Sequence, residues 1–173
     1  MAVISISLCQ AQENYMLSSE STLSVDGTST LHDWTVTANT ISGSLVKEAN
    51  TLKKVTFKVE VGGIISERGA TMDKKAHNAL NKEEHPYVLF SATDIDFATG
   101  EGQIISGKLT IAGVEKEVPV TVAIIQSGED IQMNGTQKII LQDFGMEPPT
   151  AMFGSIVVGD EVTVKFNLSF AKQ

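Results

Sequence analysis

Apolar and polar residues alternate along most of this chain with a period of two. The clearest run is Glu161–Ala171, where Val162, Val164, Phe166, Leu168 and Phe170 alternate with Thr163, Lys165, Asn167 and Ser169. Successive side chains of a strand leave opposite faces, so this run predicts a strand with one apolar and one wet side. Lys54–Val61 repeats the pattern, with Val55, Phe57, Val59 and Val61 on the apolar side. Val118–Ile124 does so again, with Pro119 on the other face. Proline cannot donate to a ladder, which puts Pro119 at an edge or a bulge. Five further candidates, Ser21–Asp26, Asp33–Val46, Val88–Phe97, Gln103–Ile111 and Asp130–Leu141, bring the total to eight. Asp26-Gly27 reads as the opening of a loop. Thr99-Gly100-Glu101-Gly102, Ala112-Gly113 and Ser127-Gly128-Glu129-Asp130 read as reversals between paired strands. Gly62-Gly63 within an apolar run suggests a bulge or a sharp coil.

Two segments break the alternation. In Met72–Lys82, Met72, Ala76, Ala79 and Leu80 recur at helical spacing, which predicts a short helix. Pro86 turns the chain back toward extended geometry at His85. Gln142–Gly159 contains Pro148-Pro149 together with Phe144, Met146, Met152 and Phe153. So apolar a loop has the character of a lid or a binding segment.

Antiparallel strands joined by short turns must hide their edges, and closure into a barrel removes the edges altogether. The expectation is therefore an all-β, eight-stranded antiparallel barrel with one short helix and a long apolar loop. Eight strands is the size at which the interior either fills with side chains or holds one small ligand. The predicted inward side chains are mainly Val, Ile, Leu, Phe and Met. A hollow among them would be apolar, and a void of several hundred Å³ would cost on the order of 5–10 kcal/mol unless occupied.

The length, 173 residues, fits one domain. The boundary is expected near residue 17, with 17–173 as the domain and 1–16 as an export-signal remnant or a tail. Within Met1–Gln12, an apolar stretch ends at the small-x-small triplet Cys9-Gln10-Ala11. The net charge of −8 argues against a nucleic-acid surface and against docking on anionic headgroups. A single Cys excludes an internal disulfide and thiolate metal clusters. No apolar run reaches the roughly 20 residues of a membrane-spanning helix. Neither the three histidines nor any Gly-rich, nucleophile-elbow or metal-ligand motif suggests a cofactor or a metal.

Three segments carry a family resemblance. Gly107–Val122, GKLTIAGVEKEVPVTV, is similar to the strand–turn–strand of the YceI-like family of polyisoprenoid-binding, lipocalin-like proteins, with Gly107, Leu109, Thr110, Ile111, Gly113, Val114, Lys116 and Val118 in matching positions. Glu83–Ser91 resembles that family's acidic segment with an internal proline, and Leu31-His32-Asp33-Trp34 resembles its S-x-H-D-W variant. The likeness spans about Ser21 to Ala171. It implies an elongated barrel whose extended lumen takes a long amphiphile, polyisoprenoid or fatty-acyl in type. It also implies no catalysis, frequent homodimers and a periplasmic or secreted setting.

Candidate ligand contacts follow. From the strands they are Phe57, Val59, Phe90, Leu109, Ile111, Val120, Val122, Phe166 and Leu168, with Trp34 as a ligand wall or core residue. Met72, Leu80, Phe144, Met146, Met152 and Phe153 are candidates for adaptable contacts near a mouth. His32 and Arg68 are candidates for the ligand's head, Arg68 because a guanidinium can clamp a carboxylate or phosphate in bidentate fashion. Two rival readings stand beside the binder. One is a lipid-modifying enzyme at the mouth that uses a His32–Asp33 acid–base pair, and the other is a solid β-barrel that binds a partner.

Overall fold

A computed structural model of the chain describes residues 11–151 and 153–173. The strands are β1 (Gln12–Leu17), β2 (Thr22–Ser29), β3 (Trp34–Ala38), β4 (Ile41–Glu48), β5 (Thr51–Glu60), β6 (Ile64–Ser66), β7 (Tyr87–Asp96), β8 (Gly100–Ile111), β9 (Val114–Ser127), β10 (Asp130–Ile140), β11 (Thr150–Ala151) and β12 (Ile156–Lys172). One α-helix, α1 (Ala70–Ala79), lies between β6 and β7. Cys9 and Met152 lie outside the described residues.

The wall is a ring of eight antiparallel strands, β1-β4-β5-β7-β8-β9-β10-β12, closed where β1 pairs with β12. Strand β12 is long enough to serve two partners. Its C-terminal end pairs with β1 through Phe170–Lys172, and its middle pairs with β2, which extends the wall through β3 and β6. The predicted count of eight is met, but by a somewhat different set of strands. Residues 12–16, assigned to the tail by the sequence reading, form the strand that closes the ring. The run QENYML alternates only weakly, because its inward face is carried by Tyr15. The predicted strand Asp33–Val46 is two strands broken at Asn39-Thr40. Asp26-Gly27 lies inside β2 rather than in a loop.

Other turn signals act as their chemistry demands. Ala112 and Gly113 both have positive φ, 47° and 82°, the pattern of a tight hairpin reversal. Gly62 and Gly63 form a 3-10 turn that bends the chain from β5 into β6. Pro119 faces Ser106 of β8 in a part of β9 that β10 does not reach, because the β9–β10 ladder runs only from Val122 to Ser127. The diverging strands are bridged by a second 3-10 turn, Leu141–Phe144, at the start of the predicted loop. Strand β11 and the first residues of β12 occupy the rest of that stretch.

The interior differs from end to end. Near the β1–β12 closure, Tyr15, Leu45, Leu52, Ile124, Ile131 and Phe170 are all but inaccessible and pack as one cluster. On the same strand face as Tyr15, at the end of this packed cluster, Glu13 of β1 takes Lys47 of β4 at 2.8 Å and Lys172 of β12 at 2.9 Å. Hydrogen bonds from Lys47 and then Lys172 hold the Glu13 carboxyl at a pKa of about 2, down from 4.5. Burial, with the Glu13 charge second, pushes the neighbouring Tyr15 phenol up.

This ion cluster gives a pH dependence with a definite sign. A carboxyl held low in the folded state contributes stability above its unfolded pKa and loses it as the pH falls through the folded value. The Glu13→Gln variant is expected to be less stable by about 1 kcal/mol at pH 7, the scale of a partly exposed ion pair. In urea titrations, the gap between variant and native should hold down to the ordinary value of 4.5 and close as the pH approaches about 2. A gap that is constant over this range would show that the closure does not depend on the charge.

Candidate functional site

Away from the packed end, the barrel encloses a cavity of about 390 Å³. Its wall is built by the period-two alternation itself. Val55, Phe57 and Val59 of β5, Leu109 and Ile111 of β8, Val120 and Val122 of β9 and Val162 to Phe170 at every second position of β12 all turn toward it. Met133 and Ile139 of β10 join them. The lining residues include no Asp and no Glu.

The aromatic rings of this wall are seated by glycines. A Cβ at Gly107 would stand 2.6 Å from the Phe90 ring, one at Gly135 would stand 2.6 Å from the Phe166 ring, and one at Gly27 would overlap Trp34. Each glycine lets a ring lie back against the neighbouring strand instead of projecting across the lumen. Trp34 also donates its indole N–H to the Thr28 carbonyl at 3.0 Å, which satisfies the polar edge of the ring while its face stays apolar. A barrel with side chains of these sizes is thereby left under-filled.

Helix α1 borders the opening. Met72, Lys75, Ala76, Ala79 and Leu80 line the cavity, a single helical face at i, i+3, i+4, i+7 and i+8. The helix is pinned to β6 at two points. The Ser66 backbone N–H donates to Asp73 Oδ1 at 2.6 Å, and His77 Nε2 donates to the Ile64 carbonyl at 2.9 Å. The β2–β3 loop, next to the chain that leads into α1, borders the cavity as well. There Ser29 Oγ bonds the backbone N–H and the carbonyl of His32, so the His32 ring is held at the cavity edge.

The sequence-derived residues fall into three groups. Trp34, Phe57, Val59, Met72, Leu80, Phe90, Leu109, Ile111, Val120, Val122, Met146, Phe166 and Leu168 line the cavity, as does His32. Phe144 does not. It is buried with Ile139, Leu141 and Val162, and Lys116 Nζ lies 6.0 Å from the centre of its ring. Its 3-10 turn packs against β9, β10 and β12, so the ring acts as a plug in the wall. Phe153 is fully exposed and touches no part of the lumen.

Arg68 lies just outside the lining, where Nη1 contacts His32 Nε2 and Nη2 donates to the Asp33 carbonyl at 3.4 Å. The His32–Asp33 acid–base pair of the enzyme reading does not form. His32 Nδ1 is 3.2 Å from the backbone oxygen of Asp33, not from its carboxylate. Lys75 and Gln137 also line the cavity, and neither is among the sequence-derived residues; the charged run Asp73-Lys74-Lys75 reads in the sequence as a solvated helix face, which the structure corrects for Lys75.

These features define a class: a single-domain β-barrel with an apolar lumen, packed at one end and rimmed by polar groups at the other. The profile of the YceI-like domain matches residues 15–170, and the chain belongs to the YceI-like family. Among solved structures it is similar to BcnA of Burkholderia cenocepacia, with a TM-score of 0.72 at 21% identity over 87% of this chain and 96% of that one. A polyisoprenoid binding domain from Saccharophagus degradans, implicated in plant cell wall breakdown, gives 0.74 at 15% identity over 92% and 98%. The YceI protein of Campylobacter jejuni gives 0.65 at 18% identity over 80% and 84%. No curated protein matches the chain.

The glycine-seated rings are open to a direct test. The Gly135→Ala change should destabilise the protein by about 1–3 kcal/mol, the cost of forcing a group into a packed site. It should also reduce uptake of an apolar fluorophore, because Phe166 is pushed inward. Adding Phe166→Leu should restore uptake. If the single change leaves uptake untouched, the rings do not control the lumen.

Proposed function

We propose that this protein binds a long-chain amphiphile, of polyisoprenoid or fatty-acyl type, in the barrel lumen and carries or sequesters it without transforming it. The observation that supports this reading best is the cavity of about 390 Å³ among apolar side chains. At about 24 cal/mol per Å³, leaving it without contents would cost roughly 9 kcal/mol, comparable with the total stability of a domain. Water is a poor occupant, since it needs two to four polar partners and the walls offer few. A hydrocarbon chain suits the site. At about 30 Å³ per heavy atom the space takes about a dozen, and ten buried methylenes at about 0.8 kcal/mol each contribute about 8 kcal/mol gross. That gross figure is on the scale of micromolar affinity, about 8 kcal/mol, from which the cost of ordering the chain is subtracted.

The likeness to a polyisoprenoid binding domain points the same way. The reading includes an exported protein, periplasmic or secreted. Among the described residues, no helix is long and apolar enough to cross a membrane.

Two measurements test the proposal. Protein purified from a lipid-containing host and extracted with organic solvent should release a long-chain lipid, in near-stoichiometric amount, detectable by mass spectrometry. Its absence would count against lumen occupancy. The Val122→Trp change should block the lumen and abolish that recovery while the barrel still folds, with a stability loss of about 1–3 kcal/mol. Lipid recovered unchanged from the blocked variant would place the binding elsewhere.

A further inference from the structure

The cations of this acidic chain are not evenly engaged. Lys47, Lys53, Lys108, Lys116, Lys138, Lys165 and Lys172 all form ion pairs. Among the described residues Arg68, Lys74, Lys75 and Lys82 form none, and all four belong to α1 or its flanks. Only Lys54 and Lys58, both on β5, share that condition elsewhere.

Lys75 is the one that matters. It is half-buried, lies on the cavity-facing side of α1, and is the single Lys or Arg among the lining residues. His32 lines the cavity as well, with Arg68 against its Nε2. The nearby carboxylates are otherwise placed. Asp73 is bonded to the Ser66 backbone, Asp33 and Glu67 are not among the lining residues, and Glu67 is exposed.

An ammonium beside an apolar lumen is short of solvent on one side, and Lys75 has no counter-charge among the described residues. An anion at the end of the bound chain would supply both a charge and hydrogen-bond acceptors. Arg68 adds to this. Its contacts with His32 and the Asp33 carbonyl use two of five N–H groups, which fixes the guanidinium and leaves donors unspent.

From this arrangement we infer that the amphiphile carries an anionic head, a carboxylate or a phosphate, held at the mouth by Lys75 with Arg68 beside it. The inference rests on the lumen reading and narrows it to acidic single-chain ligands. Neutral and cationic amphiphiles with the same tail gain nothing from this rim, and a quaternary ammonium meets like charge.

Delipidated protein titrated with dodecanoate, dodecyl phosphate, dodecanol and dodecyltrimethylammonium, each below its micellar concentration, separates the head from the tail. At least one anion should bind about tenfold tighter than dodecanol, and the ammonium should bind weakest. Whichever anion binds tighter identifies the head as carboxylate or phosphate. Lys75→Gln should bring the preferred anion to within about threefold of dodecanol, weakening the anion far more than the alcohol, and Lys75→Arg should keep most of the preference. If Lys75→Gln fails to fold, Lys75→Met on the same face makes the same comparison.

Equal binding of alcohol and anions by the native protein would overturn this inference alone. So would a Lys75→Gln variant that weakens the alcohol as much as the anion. Failure of all four compounds to bind would overturn the lumen reading, and this inference with it.

Discussion

The structure depends on one constraint: a closed hydrogen-bonded wall has to survive around an interior that its own side chains do not fill. Backbone pairing makes this feasible, because every strand of the ring has two neighbours and the wall does not need a solid core to hold its shape. The packed cluster around Tyr15 and Phe170 anchors the ring at the β1–β12 seam. Beyond it, apolar surface is presented to space rather than to other apolar surface. A void of that kind carries a free-energy cost of the same order as domain stability. Under the proposed function, a guest in the lumen is what removes that cost.

Local chemistry maintains the hollow. Glycines beneath Phe90, Phe166 and Trp34 hold large rings flat against the wall. The 3-10 turn carrying Phe144 seals the gap where β9 and β10 part, so the lumen does not leak through the side. Helix α1 places an apolar stripe over the opening, with Lys75 within that stripe. The two ends thus differ: one is packed solid, and the other carries the opening and its polar rim.

Much of this could be read in the sequence. The alternation in Glu161–Ala171 and Lys54–Val61 put the right side chains inside, because a strand of period two has no other way to bury one face. The helical spacing of Met72, Ala76, Ala79 and Leu80 located α1. What escaped was whatever depends on the partner of a segment rather than on its own pattern. Strand β1 has little alternation and is a strand because β4 and β12 pair with it. Phe144 looked like a contact at the mouth, and its role as a plug depends on where β9 and β10 diverge. Asp26-Gly27 looked like a turn because glycine usually marks one, yet Gly27 is there to make room for Trp34. Lys75 and Gln137 were hidden by their polarity: Asp73-Lys74-Lys75 reads as a solvated helix face, and only the packing of α1 over the lumen turns Lys75 toward it.

The measurement that bears most directly on the hollow is the thermal unfolding of delipidated protein with a series of carboxylates of increasing chain length at equal free concentration. A ligand that fills space within the folded state raises stability in proportion to the logarithm of its affinity, and each methylene placed in the lumen adds to that affinity. The unfolding temperature should climb with chain length and level off once the lumen is full, at about a dozen carbons. An unfolding temperature indifferent to chain length would mean that the tail does not enter the barrel.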